Sequence, residues 1–454
     1  MATKITRRNF FKSAAALSGG AMLASVPVLN SCSGSGKGPK LVPLQQPGDY
    51  YIPTLDDKAQ DGRELKCGLI GCGGRGTGAV HNLLDAANGI AITALGDLFE
   101  DRLSGSRAEF AERGHKIDDD HCFYGFDAYK KVIDSGVDMV IIATPPVFRP
   151  SHFQYAVEKG VHCFLEKPIE VDAKGYRTIM AAAKQAAARG LAVVCGTQRH
   201  HERRYVQAFE KIQQGCIGEI TGGNVYWNQG MLWYKERQAG WSDMEWCIRD
   251  WVNWKWLSGD HIVEQHVHNI DVFLWMLGGK HPVKAVASGS RQRRVTGDQY
   301  DCFNVDFTFE NGIHMHSMCR QIDGCANNVS EFVQGTKGSW NSADNTIRDL
   351  AGNIIWQYDN EAAEAEFAQH NPYVLEHVDW VNHIRSGEAL DEATLCGIST
   401  LAGIMGREAA YTGKEVTWDE ISAMDQDWLP GEPDKLTLGK VDAVQNVVIP
   451  VPGK

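Results

Sequence analysis

The chain has 454 residues, 43% of them hydrophobic, which is ample material for two packed domains. A formal net charge of -12 argues against a nucleic-acid-binding surface and for a body that meets a small-molecule partner. Once the N-terminus is set aside, no apolar run is long enough to span a bilayer, and the twelve cysteines include no Cys-x-x-Cys pair of the zinc or redox kind.

The chain opens with an address. Thr6-Arg7-Arg8-Asn9-Phe10-Phe11-Lys12 precedes a weakly apolar stretch of Ala, Leu, Gly and Ser, the pattern of a twin-arginine export signal. That stretch ends in Leu29-Asn30-Ser31-Cys32, which resembles a lipoprotein processing box, with Asn30 less usual at its place. Residues 1–36 are therefore expected to direct export to the periplasm. Cys32 becomes a lipid-anchored N-terminus and Ser33-Gly34-Ser35-Gly36 begins a flexible tether; cleavage without lipidation is the alternative. Residues 37–62 read as a linker.

Residues 63–196 read as a dinucleotide-binding Rossmann domain. Leu65 to Ile70 is an apolar run expected to form a buried strand, and it leads into Gly71-Cys72-Gly73-Gly74-Arg75-Gly76 and a helical stretch through Leu84. Gly71, Gly73 and Gly76 form a Gly-x-Gly-x-x-Gly at a strand-to-helix turn, where a side chain would block the turn and keep a pyrophosphate from the backbone. The helix N-terminus offers free N–H groups to the phosphates. A second strand, Ala91 to Gly96, ends in Asp97, whose carboxylate suits ribose hydroxyls and repels a 2′-phosphate, so the expected cofactor is NAD. Strands at Asp138–Ala143, Val161–Leu165 and Leu191–Cys195 alternate with helices, the second of these stopped by Gly190. Cys67, Cys163 and Cys195 lie in these apolar runs and are expected to be small buried hydrophobes.

The glycine turn, Thr144-Pro145 with His152, Glu166-Lys167-Pro168, and Glu264-Gln265-His266-Val267-His268-Asn269-Ile270-Asp271 together resemble the glucose–fructose oxidoreductase, inositol dehydrogenase and rhizopine-catabolism (Gfo/Idh/MocA) family over about residues 63–415. The resemblance implies a Rossmann domain followed by an α/β domain with a large, open, mainly antiparallel sheet, which carries the substrate and often an oligomer interface. It implies cofactor contacts from Gly74, Arg75, Thr144, Pro145, His152, Glu166 and Lys167. Lys167 matches the family lysine that touches the reacting hydroxyl, and His268 the acid/base histidine. Glu264 stands where the family has a pocket-shaping aspartate, and His266 where it has a glycine; both departures bear on which substrate fits. The chemistry agrees: oxidising a secondary alcohol needs a base, here His268, and a positive charge near the developing alkoxide, here Lys167. A surface lysine and a helix histidine paired with Asp271 are the structural alternatives. His261, His266 and His268 show no i, i+4 histidine pair, so no metal is expected.

Residues 197–415 change to longer strands, expected at Lys284–Arg293, Phe303–Phe309, Ile313–Cys319 and Asn328–Val333, closed by helices near Glu376–Ser386 and Ala393–Tyr411. Seven of the thirteen tryptophans fall between Trp227 and Trp256 without a helix or strand period, and they are expected to roof a polar sugar pocket. Gln198-Arg199-His200, just past a strand end, adds substrate contacts, Gln198 and Arg199 foremost. The tail, residues 416–454, either wraps the body or reaches a neighbouring subunit.

These features point to an exported oxidoreductase acting on a sugar, polyol or glycoside, with a tightly held, internally recycled NAD, in a homo-oligomer (dimer or tetramer). Two other functions fit. One is an NAD-dependent glycoside hydrolase working through transient C3 oxidation, against which the intact Glu166-Lys167-Pro168 speaks. The other is a non-catalytic sugar-binding lipoprotein, against which Lys167 and His268 speak.

Overall fold

The computed structural model describes residues 51–453; the twin-arginine pattern, Cys32 and most of the expected linker lie outside the described residues. From there the chain alternates strand and helix: β1 (Leu65–Ile70), β2 (Ile90–Asp97), β3 (Cys122–Tyr124), β4 (Met139–Ile142), β5 (His162–Leu165) and β6 (Ala192–Cys195). All pair in parallel. β4 and β6 are buried along their whole length, which is why they read as unbroken apolar runs. β1 lies between β2 and β4, so the strand order reverses there and a crevice opens at the carboxyl ends. Asp172 caps the helix Ala173–Ala188 by accepting from the Gly175 N–H at 2.7 Å, and Gly190 follows it at a φ of 71°.

The second sheet holds β7 (Ile220–Gln229), β8 (Lys284–Ser290), β9 (Cys302–Thr308), β10 (His314–Gln321), β11 (Asn328–Gly335), β12 (Gly338–Asn341), β13 (Thr346–Asp349) and β14 (Ile354–Gln357). It is antiparallel except where β7 runs parallel to β10. Phe303, Val305 and Phe307 of β9 turn inward and Asn304, Asp306 and Thr308 outward, the alternation the sequence predicts. On the inner face lies the helix Val267–Met276, buried at all ten positions.

Of the two closing helices, the first behaves differently from expectation. Pro372–Ser386 packs on the first sheet: Trp380 donates its indole N–H to the Ala192 carbonyl of β6 at 3.1 Å, and Val374, Val378 and Val381 share a core with Leu65, Leu69 and Val80. β15 (Leu390–Asp391) then pairs in parallel with β6. The helix Ala393–Thr412 joins both cores, Cys396 in the first and Leu401 and Met405 in the second. Periodicity reveals an apolar face but not which sheet will meet it.

A last strand, β16 (Val416–Thr417), pairs with β8. The tail beyond it wraps its own body. Trp428 stacks on the Arg407 guanidinium at 3.9 Å, Asp434 bonds Lys130 at 2.7 Å, and the Tyr300 hydroxyl donates to the Pro450 carbonyl at 2.7 Å.

Candidate active site

The three glycines of the turn do three different things. Gly71 has a φ of 97°, and a Cβ there would lie 2.7 Å from the Ala143 carbonyl carbon. A Cβ on Gly76 would lie 2.0 Å from the Gly71 oxygen, so this glycine lets the helix Gly74–Ala86 sit against the strand end. Gly73 and its neighbour Gly74 face open space, with nothing within 4 Å of a Cβ. Gly73 caps the helix without a side-chain bond, and the first turn holds no acid, so its N–H groups are free for a phosphate.

Asp97 closes the next side. One carboxylate oxygen accepts from the Cys72 N–H at 2.7 Å, the other from the Phe99 N–H at 2.9 Å, and burial pushes its pKa above the usual value. It both fixes the turn and faces the cleft. That cleft, about 470 Å³, is lined by Gly71, Gly73, Gly74, Arg75, Gly76, Asp97, Thr144, Pro145 and His152. The His152 ring stacks on Tyr129 at 4.1 Å, with Nδ1 3.3 Å from the Thr144 hydroxyl; burial, aided by Arg149, holds it neutral with a pKa of about 3. Open glycines, free helix N–H groups and a carboxylate at the second strand end all fit NAD.

Glu166 stands behind this wall and pairs with the Arg75 Nε, while Arg75 Nη2 reaches Glu376 at 3.4 Å. Arg149, which the sequence reading overlooked, ties the two strand-end loops together. It is buried and donates to the carbonyls of Thr144 (2.7 Å), Glu166 (2.8 Å) and Pro168 (2.6 Å). A charged residue opening a helix directly before a proline, just past the strand end, was the available signal.

Lys167 is held from the second domain. Its Nζ donates to the Glu264 main-chain carbonyl at 2.7 Å and lies 3.5 Å from the Glu264 carboxylate. His268 sits on the buried helix with its ring stacked toward Trp227, centroids 5.5 Å apart. Burial, then the positive charges of Lys167, Arg199 and Arg75, depress its pKa well below the ordinary histidine value. The imidazole is therefore neutral and able to accept a proton.

The remaining expected substrate residues divide. Arg199 is buried in an ion pair with Glu331 at 2.6 Å, stacked 5.5 Å from Trp227. Glu331, also unforeseen, is a carboxylate at an inward position of β11 that additionally accepts from the Tyr205 hydroxyl at 3.0 Å. Gln198 has a buried side-chain oxygen without a partner. His266 is placed differently from expectation: it is fully buried, Nε2 2.7 Å from the Ser317 hydroxyl of β10, with a pKa pushed down to about 3 by burial. The imidazole packs against the second sheet, and its Nδ1 has no hydrogen-bond partner.

The tryptophan segment also divides. Trp254 and Trp256 are core residues, whereas Trp233 and Trp251, with Lys235, Ile248 and Arg249, line the same cleft as the glycine turn. Their roof is over the dinucleotide site. Among the described residues, His201, Asp379 and Glu392 form a further buried cluster, their ligand-type atoms within 4.8 Å of one another. Its members bond one another and Tyr51, whose hydroxyl donates to Asp379 at 2.5 Å.

A crevice at the switch point of a parallel sheet, an open glycine turn, and a lysine beside a neutral histidine define a dinucleotide-dependent oxidoreductase. The chain belongs to the GFO/IDH/MocA oxidoreductase family, with residues 65–195 matching its NAD-binding Rossmann-fold domain and residues 205–341 its C-terminal domain. Its cofactor is NAD. Among relatives, it is 24% identical over 285 residues to the scyllo-inositol 2-dehydrogenase (NAD(+)) of Bacillus subtilis (strain 168), covering 61% of this chain and 73% of that one. It is 28% identical over 235 residues to a glycosyl hydrolase family 109 protein 2 of Shewanella sp. (strain ANA-3), covering 50% and 47%. The scyllo-inositol dehydrogenase of Lactobacillus casei with bound NAD(H) and scyllo-inositol shares the fold, with a TM-score of 0.58, 22% identity, and 78% and 99% of the two chains covered. So does a levoglucosan dehydrogenase in complex with NADH and levoglucosan, with a TM-score of 0.62, 17% identity, and 78% and 99% covered.

Proposed function

We propose that this protein oxidises a secondary alcohol of a sugar, polyol or glycoside, and reduces the corresponding carbonyl in return. The observation that carries this is the Lys167 ammonium bonded to the Glu264 main-chain carbonyl at 2.7 Å, four residues before the buried His268. When bound, NAD supplies the hydride acceptor. His268 removes the hydroxyl proton, and the Lys167 ammonium stabilises the negative charge that develops on the oxygen as the carbinol hydrogen leaves with its electron pair. His268 returns its proton when the carbonyl is reduced.

The twin-arginine pattern at Arg7-Arg8 and the box ending at Cys32 support a periplasmic, lipid-anchored location. Outside the cytoplasm there is little free NAD, so the cofactor is loaded before export, stays on the protein and is recycled by a second substrate. A homo-oligomer is part of the same reading.

Hydrolysis of a glycoside through transient C3 oxidation is the second reading, favoured by the likeness to glycosyl hydrolase family 109 proteins. One experiment separates the readings. Protein purified without added cofactor is denatured and its nucleotide quantified, and intact protein is scanned for reduced-nicotinamide absorbance and for aglycone release with sugars, polyols and glycosides. Bound NAD reduced by one sugar class supports the oxidoreductase. Aglycone release without net reduction supports the hydrolase. Protein that neither carries nor takes up nucleotide overturns both.

A further inference from the structure

The cleft that takes NAD has walls from two domains. The first is the glycine turn and Asp97; the second comes from residues 229–256, which no feature of the oxidoreductase chemistry requires to be there. We infer that this segment is a strap across the adenosine end of the cleft, latched by Arg249 on Asp101, and that the latch keeps NAD on the protein between turnovers. The inference rests on the retained-cofactor reading above and names the residues responsible for it.

The latch is bidentate. Arg249 Nη1 lies 3.0 Å and Nη2 2.9 Å from the two Asp101 carboxylate oxygens, and Nε is 2.9 Å from Glu245. The guanidinium lies 3.9 Å from the centre of the Phe99 ring and 5.2 Å from that of Trp241. Asp101 lies in the first turn of the helix Glu100–Glu112, directly after β2 and four residues past Asp97. The clasp therefore closes beside the carboxylate that takes the ribose hydroxyls. Planar, two-point pairing on an aromatic face is stronger than an ordinary surface ion pair.

The strap is stiffened from beneath. Asp250 is fully buried and accepts from the Lys235 N–H at 2.6 Å, the Asn253 amide at 2.8 Å and the Thr296 hydroxyl at 3.2 Å. The Trp246 indole donates to the Lys235 carbonyl at 2.7 Å. So held, Trp233 and Trp251 meet edge to face at 6.2 Å on the cleft wall, yet Trp233 remains 46% exposed. An open indole in a cleft that already suits a dinucleotide is a stacking surface for a flat base. Nucleotide can leave only after Arg249 parts from Asp101 and the strap lifts.

The test compares native protein with Arg249→Ala and Asp101→Asn, all purified without added nucleotide. Bound NAD is quantified after denaturation, and its release rate is followed after loading and gel filtration. Asp101→Asn removes the charge pair at a side chain 61% exposed, so packing stays intact and this variant decides the matter where Arg249→Ala does not fold. Both variants are expected to release NAD at least tenfold faster than the native protein, Asp101→Asn at an unchanged melting temperature. Equal release rates overturn the latch. Native protein that binds no NAD overturns the oxidoreductase reading instead, and native protein that binds but releases it at once overturns retention.

Discussion

The Asp271 carboxylate lies 2.6 Å from His200 Nε2 and 2.8 Å from the Ser399 hydroxyl, so it is engaged away from His268, three residues earlier on the same helix. The pairing that would have made His268 a structural residue is not formed. Its protonation is governed instead by burial and by the nearby charges of Lys167, Arg199 and Arg75.

The pH profile follows from that. A base whose pKa is held well below 6.5 stays deprotonated through neutrality, and activity is lost only as pH falls through the depressed value. The acid limb of kcat/KM for alcohol oxidation is expected clearly below pH 6.5. A limb centred at or above 6.5 would remove His268 from the role of base. His268→Asn is expected to lower kcat by about 10²- to 10⁴-fold with NAD still bound.

Lys167 and Glu264 separate cleanly by mutation. The short bond from Lys167 goes to the Glu264 main-chain carbonyl at 2.7 Å, with the carboxylate at 3.5 Å. Glu264→Gln keeps the carbonyl and is expected to lower kcat less than about tenfold, whereas Lys167→Met removes the cation and costs about 10²- to 10³-fold. Steady-state kinetics on the two variants, with nucleotide content measured in parallel, checks the contrast.

Gly73→Ala and Gly76→Ala are expected to fail in different ways. A methyl on Gly76 meets the Gly71 oxygen at 2.0 Å, so that variant loses stability, by about 1–3 kcal/mol. A methyl on Gly73 meets no protein atom within 4 Å and would instead crowd a pyrophosphate approaching the turn. That variant should melt like the native protein and bind NAD at least tenfold more weakly, as thermal melts and equilibrium binding will report.

His266 is fully buried, and its pKa falls to about 3 in the folded state. In the unfolded chain it binds a proton below about pH 6.5. Below that pH the unfolded state holds more protons, so this residue's contribution is fully present above pH 6.5 and is lost as pH falls toward 3. The stability advantage of native protein over His266→Asn should shrink by about 2 kcal/mol between pH 7.5 and pH 5. Denaturant titrations at the two pH values measure it.

Local signals made much of the first domain legible. The strand at Leu65–Ile70, the glycines placed straight after it and Asp97 at the next strand end are short-range features, and the structure has them where the sequence puts them. Contacts between distant segments were not legible. Arg199 meets Glu331 across 132 residues and Arg249 meets Asp101 across 148, and no spacing rule connects such pairs. The tryptophans between Trp227 and Trp256 show the same limit. They share a composition, but the tertiary fold buries Trp254 and leaves Trp233 in the cleft.

The return of β15 to the outer side of β6 sets an order of events during synthesis. β6 ends at Cys195, and its edge partner, Leu390–Asp391, emerges about 200 residues later. Until then the nascent Rossmann sheet carries an open edge and lacks the apolar helix Pro372–Ser386 that covers β6. A ribosome stalled anywhere in the second sheet thus leaves a strand ready to template aggregation, and the nucleotide site becomes a finished structure only when nearly the whole chain has been made.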